Sequence, residues 1–265
     1  MKLAIISDLH SNLEALEAVL RDIDTKKADG IVCLGDLVNY GPNPIEVLDT
    51  LEQCKPKHVL TGNHDASFTN EFRHLAQDSF NSVANASAEW TKEKLRKRDI
   101  QMMERLHYQV RLDRTVFAHG IPVHNGDGAS ARERKLIGIT TYTNDIADIN
   151  QGLRSMASMN AAYGFVGHLH IPGIFVDDEG FPIVINKARH ERYVCKADEV
   201  HLINVGSVGQ PRDGDNKACY AFAEFYSDHC IVTICRVEYD FTQTQRKIIE
   251  AGLPELLATR LEVGR

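Results

Sequence analysis

Apolar residues follow two rhythms along this chain. Up to about residue 65, short apolar runs at 3–6, 31–34 and 59–60 alternate with stretches at 12–23 and 44–51. In the first of those stretches Leu13, Leu16, Val19, Leu20 and Ile23 recur at helical spacing. Runs of this kind predict buried strands alternating with amphipathic helices, the pattern of a mainly parallel sheet. From residue 65 to 106 the sequence turns polar and helical, without β-branched runs. This predicts a helical, cap-like excursion at about 65–108, in which Trp90 serves as an anchor, with stacking on a nucleobase the lesser reading, and the charged run 92–98 is a solvated face. Short strands follow at 110–112 and 115–118, then a helix at 145–159. The last third reads as strands at 164–166, 174–176, 183–185, 201–205, 219–225 and 230–237, with a turn at 177–180. Residues 242–261 read as helix, broken at Pro254. An α/β half followed by a strand-rich half, with no repeat or linker between, predicts a single domain over 1–265. Its two sheets should pack face to face with helices outside.

Composition narrows the classes. With 43% apolar and 25% charged residues, the 265-residue chain is an ordinary globular protein able to bury a large core. No apolar stretch approaches the ~20 residues that span a bilayer. The opening Met1-Lys2-Leu3-Ala4-Ile5-Ile6-Ser7-Asp8 stops being apolar too soon for a secretory leader, so a cytoplasmic location without membrane contact is expected. Acidic residues outnumber basic ones 37 to 30, giving a formal charge of −7. Binding to a nucleic-acid polymer is therefore not expected, although a local cationic centre can still hold phosphate. The six cysteines form no C-x-x-C pair and several lie inside strand-like runs, which predicts reduced, buried thiols.

Five apolar runs end in metal-binding residue types. They lead into Asp8-Leu9-His10, Gly35-Asp36, Gly62-Asn63-His64-Asp65, His119-Gly120 and Gly167-His168-Leu169-His170. In an α/β sheet such junctions lie at the carboxyl ends of strands, where ligand sites form. A lone Asp or His after a strand is more often a helix cap or a satisfied polar group. Five brought to one rim would stay desolvated and mutually repelling without a cation. Carboxylate and amide oxygens mixed with imidazoles suit Mn, Fe, Zn, Ni or Co.

These blocks, in their order and spacing, resemble the signature of the calcineurin-like metallophosphoesterase superfamily from about residue 3 to 225. The segments Gly41-Pro42-Asn43-Pro44 and Gly206-Ser207-Val208-Gly209-Gln210-Pro211-Arg212-Asp213 are similar to its bacterial and archaeal predicted-phosphodiesterase branch, which includes diadenosine tetraphosphate hydrolases. The resemblance implies a four-layer α/β/β/α sandwich of two mixed sheets flanked by helices. It implies two divalent metal ions, with Asp8, His10 and His170 on the first, Asn63, His119 and His168 on the second, and Asp36 bridging both. The implied reaction is hydrolysis of a small phosphodiester or nucleotide phosphoanhydride, with diadenosine tetraphosphate a candidate substrate, by attack of a metal-bound hydroxide. His64 would stabilise the transferring phosphoryl group or protonate the leaving oxygen; a purely structural histidine is the alternative.

Departures from the family pattern bear on the substrate. Phosphoprotein phosphatases carry Gly-Asp-x-x-Asp-Arg-Gly, where this chain has Gly35-Asp36-Leu37-Val38-Asn39-Tyr40-Gly41. Asn39 can hydrogen-bond His64 but cannot raise its basicity as a carboxylate would, and Tyr40 cannot neutralise a phosphate. That argues against a phosphoprotein substrate, and Tyr40 reads either as the lining of an organic-group pocket or as packing. A non-catalytic scaffold on the same fold is the remaining alternative, although such proteins usually lack a ligand or the histidine. Arg212 is the candidate phosphate-binding cation, with a salt bridge to Asp213 or Asp215 as the rival reading. Asn12 and His124 lie near the ligand blocks and read as supports for them.

Overall fold

The computed structural model describes residues 1–75, 80–126, 128–178, 181–186 and 192–265. Its first third alternates β1 (Lys2–Ile6), α1 (Leu13–Lys26), β2 (Gly30–Cys33), α2 (Pro44–Gln53), β3 (His58–Val59) and α3 (Asn63–Ser67). Helices α4 (Ser82–Lys94) and α5 (Lys97–Met103) follow, then β4 (Gln109–Leu112), β5 (Thr115–Ala118), α6 (Ala131–Thr140), α7 (Ile146–Ser158) and β6 (Tyr163–Val166). The remainder is β7 (Gly173–Asp178), β8 (Phe181–Asn186), β9 (Arg192–Lys196), β10 (His201–Asn204), β11 (Ala218–Phe225), β12 (His229–Val237), α8 (Phe241–Glu250) and α9 (Glu255–Val263).

The strands form two six-stranded mixed sheets, ordered β3-β2-β1-β11-β12-β9 and β4-β5-β6-β10-β7-β8. Alternation along β1 explains the layering. Leu3 and Ile5 face the other sheet in a core shared with Phe117, Phe165 and Ile203, where the two phenylalanine rings stack 5.6 Å apart. Ala4 and Ile6 face outward onto Leu16 and Val19 of α1. The second sheet repeats this, with Val116, Val166 and Leu202 turned onto Ile149, Leu153 and Met156 of α7. Strands buried on both faces read as continuous apolar runs, which is why the short runs predicted them. The result is the expected four-layer α/β/β/α sandwich.

Register matters most for function. In the parallel part of the first sheet Ile6 lies opposite Cys33 and Cys33 opposite Val59, so three strands end level. In the second, Phe117 pairs with Phe165 and Val166 with Asn204. Helix α1 begins where the Asn12 side chain accepts the Ala15 N–H at 3.1 Å, holding the turn after β1 in place.

Two elements were not expected from the apolar pattern. Strand β9 pairs antiparallel with β12 at the sheet edge, and its Arg192-Tyr193-Val194-Cys195-Lys196 alternates too weakly to stand out. Helix α6 starts in a capping box, Ser130 Oγ accepting the Glu133 N–H while the Glu133 carboxylate accepts the Ser130 N–H. Part of the turn expected at 177–180, and residues 76–79 of the excursion, lie outside the described residues. Trp90 is half-buried against the apolar cluster of α8 and α9. All six cysteines are free and five are buried. Among the described residues no helix is long and apolar enough to cross a membrane.

Candidate metal centre

The level strand ends deliver the polar residues to one point. Asp8 follows β1, Asp36 follows β2, Asn63 opens α3, His119 follows β5, and His168 and His170 follow β6. Oxygen or nitrogen atoms of Asp8, His10, Asp36 and His170 all lie within 4.8 Å of one another, as do those of Asp36, His119 and His168. The two groups share Asp36. Asn63 Oδ1 joins the second at 3.3 Å from His119 Nε2. All seven side chains are buried.

Local backbone geometry explains the tight convergence. Asp8, His10, Asp36, His168 and His170 all adopt positive φ, between 45° and 64°. Non-glycine residues reach this left-handed region at a cost and persist there only where surroundings impose it. Two glycines allow the loops to approach. A Cβ at Gly62 would run into the Asp36 carboxylate and backbone, and one at Gly167 would strike Ser7 and Asp8. Asp65 binds the loops together, its carboxylate accepting the backbone N–H groups of Leu37 at 2.9 Å, Val38 at 3.3 Å and Gly62 at 3.0 Å. Burial, with the neighbouring Asp36 carboxylate, pushes Asp65 up to about 7.

Ring orientations are fixed by backbone carbonyls. Nδ1 of His10 donates to Val38 O at 3.3 Å, Nδ1 of His119 to Leu34 O at 3.2 Å and Nδ1 of His170 to Gln210 O at 2.6 Å. Each Nε2 is thereby turned toward the centre, as in histidines oriented for metal binding. His168 is reversed, with Nε2 on Thr140 O at 3.1 Å and Nδ1 left to face inward. Helix α6, which ends at Thr140, thus sets the tautomer of a site histidine.

Whether these residues suit metal ions can be tested on the atoms themselves. His10 Nε2 and His170 Nε2 sit 3.1 Å apart, so two lone pairs face each other. Asp8 Oδ1 and Asp36 Oδ2 are buried and, among the described residues, have no hydrogen-bond partner. Yet Asp8 Oδ1 is 3.3 Å from His170 Nε2, and Asp36 Oδ2 is 3.3 Å from His119 Nε2 and 3.7 Å from His10 Nε2. Facing lone pairs and orphaned carboxylate oxygens are costly unless a cation sits among them. The donor set fits two divalent ions. Burial drives His10 well below its usual range and His168 down to about 3, keeping both rings in the neutral, ligating form. Burial also opposes charge on His119, but the Asp36 and Asp8 carboxylates hold it up to about 9, a measure of how strongly this pocket favours positive charge.

His64 stands beside this group. Its Nδ1 is 2.7 Å from Asn39 Nδ2, and the Asn39 amide is oriented by the Tyr40 N–H, which donates to Oδ1 at 2.9 Å. Asn39 therefore donates to Nδ1, and the ring proton lies on Nε2. Burial pushes His64 down to about 4 against the pull of Asp36, so the ring is neutral at pH 7. The ring stacks on Phe80 at 4.3 Å and tilts against Tyr40 at 4.7 Å.

A cavity of about 170 Å³ opens from His64 and His168 and is lined also by Tyr40, Phe80, Tyr142, Arg212 and Arg260. Arg212, the candidate phosphate-binding cation, is among the lining residues. Arg236 pairs with Asp213 and lies 3.8 Å from Asp215, whereas Arg212 donates to Gln210 Oε1 at 2.7 Å. Asn12 supports the site, donating to Gly209 O at 2.8 Å. His124 does not; it lines a separate cleft with Arg154 and Ser155. Sequence reasoning missed Tyr142, whose ring stacks on His168 at 3.8 Å, and also Phe80 and Arg260. None belongs to a motif, and no sequence signal marked them.

Relatives are consistent with this geometry. The chain is 34% identical over 267 residues to the uncharacterized protein MJ0912 of Methanocaldococcus jannaschii, covering 99% of this chain and 98% of that protein. A metallophosphoesterase from Sphaerobacter thermophilus superposes with a TM-score of 0.78 at 34% identity, covering all of both chains. The hypothetical protein PH1004 from Pyrococcus horikoshii shares the fold, with a TM-score of 0.74 at 18% identity, over 100% of this chain and 98% of its own. Residues 1–228 match the calcineurin-like phosphoesterase superfamily domain, a family that normally binds a dinuclear divalent metal centre. The chain belongs to the calcineurin-like phosphoesterase superfamily and is a metal-dependent phosphoesterase.

Proposed function

We propose that this protein hydrolyses small phosphodiesters or nucleotide phosphoanhydrides in the cytoplasm. In this reading Asp8, His10 and His170 hold one ion, Asn63, His119 and His168 the other, and Asp36 both. The observation that carries it is the position of Asp36 in both groups of ligand atoms, with its Oδ2 lacking any hydrogen bond among the described residues. When bound, two divalent ions supply Lewis acidity and make a shared water acidic enough to act as nucleophile near neutral pH.

The chain's own residues do the rest. His64, neutral and with its proton on Nε2, donates to an oxygen of the transferring phosphoryl group or to the departing oxygen. Asn39 holds that tautomer. Tyr40, Phe80 and Tyr142 wall the cavity and keep bulk water from the reacting oxygens. Residues 65–108 act as a cap on a single domain, a role supported by the cavity contacts of Phe80, Asn81 and Ala84. Tyr40, standing where a phosphoprotein phosphatase has arginine, favours a substrate with an organic group over a phosphoprotein.

The test is an assay of Mn-loaded protein, its metal content measured, on bis-p-nitrophenyl phosphate, diadenosine tetraphosphate and a phosphopeptide. Turnover of the first two above the third is expected. Fully metallated protein inactive on every phosphoester would sink the proposal.

A further inference from the structure

We propose that Arg260 and Arg212 form a paired guanidinium site that takes a second phosphoryl group of the substrate, beside the one held at the metal centre. The inference rests on the metallophosphoesterase reading above and assigns its substrate to compounds with linked phosphoryl groups, a phosphoanhydride chain rather than an isolated diester.

Both arginines line the same cavity as His64 and His168. Among the described residues lining it there is no carboxylate, in a chain where acidic residues are in excess. Arg212 donates to the Gln210 amide oxygen and also interacts with the Tyr40 hydroxyl, and Arg260 Nε donates to the main-chain oxygen of Arg265. Among the described residues neither is paired with an aspartate or glutamate side chain. Some arginines elsewhere do pair with carboxylates: Arg96 with Asp49 and Asp99, Arg192 with Glu224, Arg236 with Asp213.

Tyr40 is the hinge of the arrangement. The Arg212 guanidinium lies 5.9 Å from its ring centroid, and the Tyr40 hydroxyl feels the charge of both arginines. The same ring packs with Leu257 and Leu261 of α9 in one apolar cluster, which fixes the helix that carries Arg260. Burial, and then the repulsion of Arg212, lower Arg260 to about 10. Two like charges sharing a half-buried cavity are unfavourable until an anion separates them, and guanidinium forks suit phosphate oxygens. Arg260 also lies beyond residues 1–228, the part that matches the superfamily domain, so the second prong belongs to the C-terminal helices.

The experiment compares full-length wild type with Arg260→Ala and Arg260→Lys. In Mn-loaded protein the ratio of kcat/KM for diadenosine tetraphosphate over bis-p-nitrophenyl phosphate should fall at least ~10-fold in Arg260→Ala and less in Arg260→Lys, which keeps charge but loses the fork. Calorimetric titration of chelator-treated protein with tripolyphosphate should show binding weakened at least ~10-fold in Arg260→Ala. An unchanged ratio, an equal fall on both substrates, or equal tripolyphosphate binding in wild type and variants overturns the proposal. Failure of the underlying reading looks different: wild type would be inactive on every phosphoester while the arginine pair still bound tripolyphosphate.

Discussion

The floor of the site and its wall are built differently. The seven residues of the centre, Asp36 among them, come from short loops that follow level strand ends, and backbone carbonyls or N–H groups lock most of them. The wall brings Tyr40, Tyr142, Arg212 and Arg260 from four distant parts of the chain, and one of its rings is 40% exposed. The floor can therefore do one kind of chemistry on whatever reaches it, whereas the wall decides what reaches it. Rigid placement belongs to the reaction and looser placement to selection.

That division predicts a ranked set of effects. Asp36→Asn should be the most severe, because one residue serves both groups. Both metal affinities should fall by more than the ~100-fold that outlying supports of a metal site cost, as read by elemental analysis of dialysed protein. Retention of two ions would break the contrast at its centre. His64→Ala should keep metal stoichiometry and lose at least ~100-fold in kcat. If kcat is unchanged, His64 belongs to the wall and not to the chemistry. Tyr142→Ala removes one stacking partner of His168, a contact of about 0.5–1.5 kcal/mol, so KM should rise ~2- to 10-fold with kcat nearly kept. A matching collapse of kcat would show that floor and wall are not separable.

The smallest effect lies at the other end of the second sheet. His201, at the start of β10, is fully buried, with Glu199 Oε2 3.3 Å away. Burial lowers its pKa below the ordinary 6.5, against the pull of Glu199. The folded protein therefore resists a proton that the unfolded chain accepts near pH 6.5. The stability contributed by keeping this ring neutral is complete above that pH and drains as pH falls below it. His201→Phe should flatten the fall of Tm below pH 6.5 while leaving catalysis at neutral pH alone. An unaltered Tm profile would assign the acid sensitivity to other groups.

The floor was legible because its chemistry is tied to chain positions that apolar runs reveal. A strand ending in Gly-Asp or Gly-His exposes both the element and the ligand. The wall was only half legible. Arg212 lies in a recognisable loop, but the arginine that pairs with Asp213 is Arg236, a strand residue with no motif to mark it. Arg260 was hidden in an ordinary helical heptad. The apolar positions of helix α6 form no clean stripe, so the helix and the carbonyl that orients His168 went unread. Local signals are readable when a residue acts on its own loop, and lost when it acts across the fold.

The left-handed backbone beneath Asp8, His10, Asp36, His168 and His170 has an evolutionary side. Each such residue costs roughly 1–2 kcal/mol that glycine would not. Selection for heat tolerance alone would thus drift toward glycine at these positions and leave a sturdier but inert protein. Comparing melting curves of chelated wild type and His10→Gly would measure the gradient that hydrolysis must continually oppose.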